Sequence, residues 1–131
     1  MNWLIKLVVG GAVMGLADFL WLGTIAKKLY HDVLGQLVTP KPRWYAALSF
    51  YFIYLVGVIV FAANRAGSWR QALLYGAGFG FVAYATYDLT NLATLKAFTP
   101  RLAVIDIVWG TVLTAAVTLA AYAAGSWWAG R

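Results

Sequence analysis

Residues 4–26 read LIKLVVGGAVMGLADFLWLGTIA. As a helix rising 1.5 Å per residue this run is about 35 Å long, enough to cross the ~30 Å hydrocarbon core of a bilayer. Asp18 lies well inside it, nine residues before Lys27. An acidic side chain in hydrocarbon costs about 2.5–3.5 kcal/mol on insertion scales, so an ionisable residue there is by default a functional one. Lys6 followed by apolar residues imitates a secretion leader, but the apolar run continues past Asp18 to residue 26, which favours a retained helix.

The same reading extends along the chain. Apolar runs recur at about 44–63, 71–95 and 102–124, each long enough to span. Lipid obliges backbone groups to pair within their own segment, and no polar–apolar alternation suggests a barrel, so helices are expected. The fold class is all-α: one four-span, antiparallel up-down bundle occupying residues 1–131. Between the first two spans Leu29, Tyr30, Val33, Leu34 and Leu37 recur at helical spacing. They predict an extension of the first helix or a short interfacial helix, stopped by Pro40 and Pro42.

Composition agrees and excludes several chemistries. The 131 residues are 63% hydrophobic and 11% charged, whereas a soluble domain carries about a quarter charged residues. The net charge of +6 comes from Lys and Arg scattered between spans, so anionic lipid headgroups rather than nucleic acid are the expected partners. With no cysteine and one histidine, His31 in a polar segment, thiolate sites and a His-based metal or haem site are not expected. No cofactor is implied. Lys27, Lys28, Lys41, Arg43, Lys96 and Arg101 fall on one side, against Lys6, Arg65, Arg70 and Arg131 on the other. This six-to-four excess favours termini outside the cytoplasm.

Three of the four acidic residues, Asp18, Asp88 and Asp106, lie within spans. Up-down connectivity puts all three in the half of the membrane next to the first loop, about 8–13 Å from the nearest flanking Lys or Arg along their helices. Tyr84, Asp88 and Asn91 share a helix face, with Tyr87 beside them. Tyr51 and Tyr54 enter the layer from the second span, Tyr45 and Ser49 lie nearer its start, and Arg43 stands at the mouth. Asp18-x-x-Trp21 and Asp106-x-x-Trp109 are each followed by Gly and Thr, resembling a weak inverted repeat across antiparallel helices. Gly11 with Gly15, and Gly76 with Gly80, are spaced for close helix approach. Trp3, Trp44, Trp69, Trp127 and Trp128 are expected in interfacial belts.

The runs Tyr87-Asp88-Leu89-Thr90-Asn91-Leu92-Ala93-Thr94-Leu95 and Asp106-Ile107-Val108-Trp109-Gly110-Thr111, with Asp18 to Trp21, resemble a bacterial family of predicted membrane proteins catalogued as domain of unknown function 2177. The resemblance covers essentially the whole chain. It implies a small four-span protein of the bacterial inner membrane and supplies no activity, substrate or catalytic residue.

The residues themselves suggest what the site does. Closely placed carboxylates cannot all ionise in a low dielectric, so one of them is expected to hold a proton near neutral pH. This fits a carrier or binder that exchanges a proton for a small cationic or amphipathic solute, held by aromatic faces. Asp18 and Asp88 are the expected exchanging pair and Asp106 a modulator, with Trp21, Tyr84 and Trp109 as lining. A homodimer would widen the narrow pathway. An alternative is an intramembrane acid/base enzyme, an isomerase, hydratase or cyclase acting on a lipid or isoprenoid. Another is a non-catalytic subunit of a membrane complex. Three carboxylates holding a divalent metal is a further variant.

Overall fold

The structure, a computed structural model, describes residues 2–35 and 41–130. Its elements are helical: α1 (Asn2–Leu20), a π-helical turn (Trp21–Ile25), α2 (Lys27–Leu34), α3 (Trp44–Phe61), a short 3-10 turn (Ala63–Arg65), α4 (Trp69–Thr94) and α5 (Pro100–Ala129). The starts of α4 and α5 follow from capping chemistry. Ser68 Oγ accepts from Gln71 N at 3.2 Å, and Thr99 Oγ1 accepts from Leu102 N at 3.1 Å with Pro100 opening the helix.

Three helical stretches are long and apolar enough to cross a membrane: Asn2–Thr24, Trp44–Arg65 and Pro100–Ala129. The fourth run of the sequence reading forms a 26-residue helix, α4, but it is not among them. Its length suffices. Its composition is diluted by Arg70, Gln71, Thr86, Asp88, Thr90, Asn91 and three tyrosines.

α5 is the central helix, and glycines decide how closely its neighbours approach. On α4, Gly76 lies against Thr118, Gly80 against Thr114 and the Gly110 carbonyl, and Tyr84 against Gly110. As α4 advances by four residues α5 retreats by four, so the helices are antiparallel, and the next step of the ladder reaches Asp88 and Asp106. A Cβ at Gly80 would sit 2.5 Å from the Gly110 carbonyl oxygen, and one at Gly76 2.9 Å from the Thr114 carbonyl oxygen, so any side chain there forces the backbones apart. On the other flank α1 runs antiparallel to α5, with Gly10 facing Val117 and Ala121 and Lys6 lying over Gly125. The paired glycines expected on α1 are not the close contact. Gly15 has no atom within 4 Å of where a Cβ would stand, because the inward stripe of α1 is Gly10, Met14 and Asp18.

α3 is held along only part of its length. Leu55, Val58 and Ile59 join Met14, Leu113, Val117 and Ala121 in the main core. The first seven residues, 44–50, are all exposed. The α3 segment nearest the first loop therefore stands away from the other helices and leaves a crevice on each side.

α2 closes that end. Its apolar stripe (Leu29, Tyr30, Val33, Leu34) packs on Phe98, Leu102 and Ala103 at the start of α5. The short helix expected from the spacing is present; Leu37 and Pro40 lie outside the described residues. Where α1 passes into α2 the backbone widens, with Ala26 N donating to the Trp21 carbonyl five residues back at 2.8 Å.

Candidate functional site

The π turn and α5 bring the two Asp-x-x-Trp motifs together. The indoles of Trp21 and Trp109 stack, with centroids 4.4 Å apart and planes 3° from parallel. Each indole also serves the carboxylate of the other motif. Trp109 Nε1 donates to Asp18 Oδ1 at 3.0 Å. Trp21 Nε1 reaches the Tyr30 hydroxyl at 3.5 Å, and that hydroxyl donates to Asp106 Oδ1. Even the threonines match: Thr24 Oγ1 donates to the Leu20 carbonyl, and Thr111 Oγ1 to the Ile107 carbonyl.

Asp18 and Asp106 are thus buried at 8% and 5% exposure and supplied with donors. The second oxygen of Asp18 accepts from the Tyr51 hydroxyl at 2.6 Å. Tyr54 pairs with Thr114 Oγ1 at 2.7 Å, deeper along α5. Hydrogen bonds to a carboxylate are among the stronger ones, so this network holds the acids in place. Among the described residues its donors, Tyr30, Tyr51 and Trp109, are neutral. They solvate negative charge without cancelling it.

Two cavities meet at Asp18. One, about 460 Å³, is bounded by Asp18, Asp106, Trp21, Trp109 and the tyrosines Tyr30, Tyr51, Tyr54, Tyr84 and Tyr87. The other, about 710 Å³, runs between α1 and the outer part of α3, past Gly11, Met14, Gly15, Phe19, Leu48, Phe52 and Leu55. Asp18, Leu22 and Tyr51 belong to both. Among the described residues no Lys, Arg or His lines either one.

The structure therefore brings together most of the side chains expected at the site: Asp18, Asp106, Trp21, Tyr51, Tyr54, Tyr84, Tyr87 and Trp109. It does not bring in Asp88 or Asn91, which line neither cavity. Asp88 is fully buried, and neither of its oxygens meets a hydrogen-bond donor among the described residues. Asp18 shares its cavity with Asp106 and not with Asp88. Arg43, at the start of α3, is exposed and lines neither cavity; Ser49 bonds back to the Tyr45 carbonyl at 2.8 Å. Among the described residues no three acidic or histidine side chains gather as a metal site. Tyr30 and Thr114 were not anticipated. Tyr30 sits in an otherwise apolar stripe, where its ring reads as packing and its hydroxyl goes unnoticed.

Among the described residues Tyr30 is the side chain that links α2 to the acids by a hydrogen bond. Tyr30→Phe keeps the ring on its neighbours and leaves Asp106 without this donor, at a cost of about 1–3 kcal/mol. The expected result is faster amide hydrogen exchange across residues 27–34 with unchanged exchange in α4. Unaltered exchange in α2 would show that its apolar stripe alone keeps it docked.

A family model described as "Predicted membrane protein (DUF2177)" matches residues 3–123. No curated protein and no solved structure matches the chain.

Proposed function

The chain belongs to that predicted membrane protein family, and from this premise we propose that it binds, and carries in exchange for a proton, a small cationic or amphipathic solute. One observation carries the reading: among the described residues, two buried carboxylates with neutral hydrogen-bond donors share an aromatic cavity that no basic side chain lines. A cation entering there supplies the missing charge and finds indole and phenol faces, whose attraction for a desolvated cation is about 2 kcal/mol. Two carboxylates that border one cavity repel, and a proton relieves that repulsion as an entering cation does.

The membrane arrangement follows in the same reading. α4 is the fourth crossing, being about 39 Å long and zipped to α5 by its glycines. α2 lies at the interface on the cytoplasmic side of a bacterial inner membrane, where Lys27, Lys28, Lys96 and Arg101 face anionic headgroups. The exposed Trp3, Trp44, Trp69, Trp127 and Trp128 belong to the interfacial belts.

Titrating the purified protein in liposomes with a compact quaternary ammonium ion tests the proposal. A saturable change in tryptophan emission is expected, because the stacked pair borders the cavity. In proton-loaded liposomes the same ion should drive an alkaline shift of the lumen as it enters. Linear, unsaturable quenching with no lumenal shift would overturn the reading. The alternative of an acid/base enzyme draws on the phenol–carboxylate pairs Tyr51–Asp18 and Tyr30–Asp106, and a changed lipid product recovered with the protein would favour it.

A further inference from the structure

The larger cavity is not needed to hold a compact cation, yet it opens onto the same carboxylate. Along α1 and the π-helical turn that follows it, its wall is Gly11, Gly15, Phe19 and Gly23, a stripe at four-residue spacing. At 1.5 Å per residue this stripe is about 18 Å long, over half of the ~30 Å hydrocarbon thickness. The facing wall is Leu48, Phe52 and Leu55 of α3. Gly15 and Gly23 have open space where a side chain would stand, and residues 44–50 of α3 are exposed. Glycine is costly in a helix relative to alanine, by about 0.8–1.0 kcal/mol each, and at Gly15 and Gly23 no described atom lies close enough to require it. The groove is kept open, it is apolar, it lies along the helix axis, and its one charged residue is Asp18.

We infer that this groove holds the hydrocarbon tail of a single-chain amine-bearing amphiphile, whose cationic head sits at Asp18 beneath the tryptophan pair. The inference rests on the reading of the aromatic cavity as a cation site and names its ligand class. A tail running from Asp18 towards Gly11 lies along the direction of neighbouring lipid chains, so it leaves the bilayer without bending. Because lipid is as apolar as the groove, the tail adds little affinity; the carboxylate selects and the groove admits. Entry is sideways, between α1 and α3, rather than from water.

The test is photolabelling in liposomes with a long-chain primary amine carrying a diazirine at its far end, beside an alcohol probe of the same chain length. In the native protein the amine probe is expected to label peptides containing Met14 and Leu55 well above the alcohol probe. Gly15→Leu, which fills the groove, should bring amine labelling down to the alcohol level. Gly78→Leu, also in open space but on α4 and outside both cavities, should leave it unchanged. Equal labelling by amine and alcohol, or undiminished labelling in Gly15→Leu, overturns the inference. The compact quaternary ammonium titration separates the two levels. If that ion still binds saturably, only the tail groove has failed; if it does not, the cation site has failed with it.

Discussion

Gly110→Leu is expected to abolish folding. The α-carbon of Gly110 lies directly against the Tyr84 ring, and any Cβ built there overlaps three ring atoms, including the one joined to the side-chain stem. The ring cannot slide away by rotation at its tip. It is further held edge-on to Tyr54, with centroids 6.2 Å apart, and Tyr54 is bonded to Thr114. One turn away Gly80 rests on the Gly110 carbonyl itself, so the strain cannot be passed along the helix pair. Overpacking costs typically 1–3 kcal/mol where neighbours can yield. Here the neighbour is backbone and ring stem, and the penalty should exceed the ~5 kcal/mol that separates many proteins from unfolding. Gly110→Leu should be lost from the detergent-soluble, monodisperse fraction, while Gly78→Leu should melt within a degree or two of the native protein. A Gly110→Leu protein that purifies and melts normally would refute the glycine ladder.

Asp18→Asn should destroy cation binding and spare the fold. An amide oxygen can still accept from Trp109 or Tyr51, and the volume is unchanged, so the loss is one of charge. Removing one partner of a buried charge pair costs about 2–5 kcal/mol; a loss of ~3 kcal/mol is roughly 100-fold in Kd for the quaternary ammonium ion. Asp18→Ala should do the same and also destabilise, since it orphans the Tyr51 hydroxyl and the Trp109 N–H. Asp106→Asn should weaken binding less, its carboxylate having one donor, Tyr30, in the described network. Asp88→Asn should leave binding within error of native, because Asp88 lines neither cavity. Equal losses in Asp18→Asn and Asp88→Asn would return Asp88 to the centre.

That contrast shows where sequence reasoning succeeds and where it stops. Helix existence, the gathering of acids at one level and the convergence of the two Asp-x-x-Trp motifs follow from hydropathy and connectivity, which act over whole spans. The pairing of acids depends instead on rotation of each helix about its own axis, a matter of one residue in a turn. Asp88 and Asp106 share a level, but the ladder of Gly76, Gly80 and Gly110 turns Asp88 into the helix contact rather than into the cavity. Gly15 stands in open space for the same reason, since the inward stripe of α1 is one residue earlier, while Gly11 meets the tip of Leu55 on α3. Tyr30 was hidden by its chemistry: a phenol looks apolar in a packing stripe, and its hydroxyl matters only once Asp106 is placed beside it. α4 differs in another way: its length is ample for the span that the sequence reading expects over 71–95, but its polar residues dilute it below the apolarity of the other three long helices.

The widened turn at Trp21–Ile25 makes this protein sensitive to chain length in an unusual way. Each residue of an α-helix advances the side chains by about 100°. The widened turn takes five residues to come round where an α-helical turn takes four, so excising one of them lets it tighten with little change of facing beyond it. Excising Lys27 or Lys28 instead, in the regular helix just after it, swings the rest of α2 by about that angle relative to α1. Phe98 would lose its cover and Asp106 its phenol, although every atom of both would still be present. A single-codon deletion is therefore absorbed at the widened turn and becomes a change of phase just past it, undocking α2 from the acids without touching either of them.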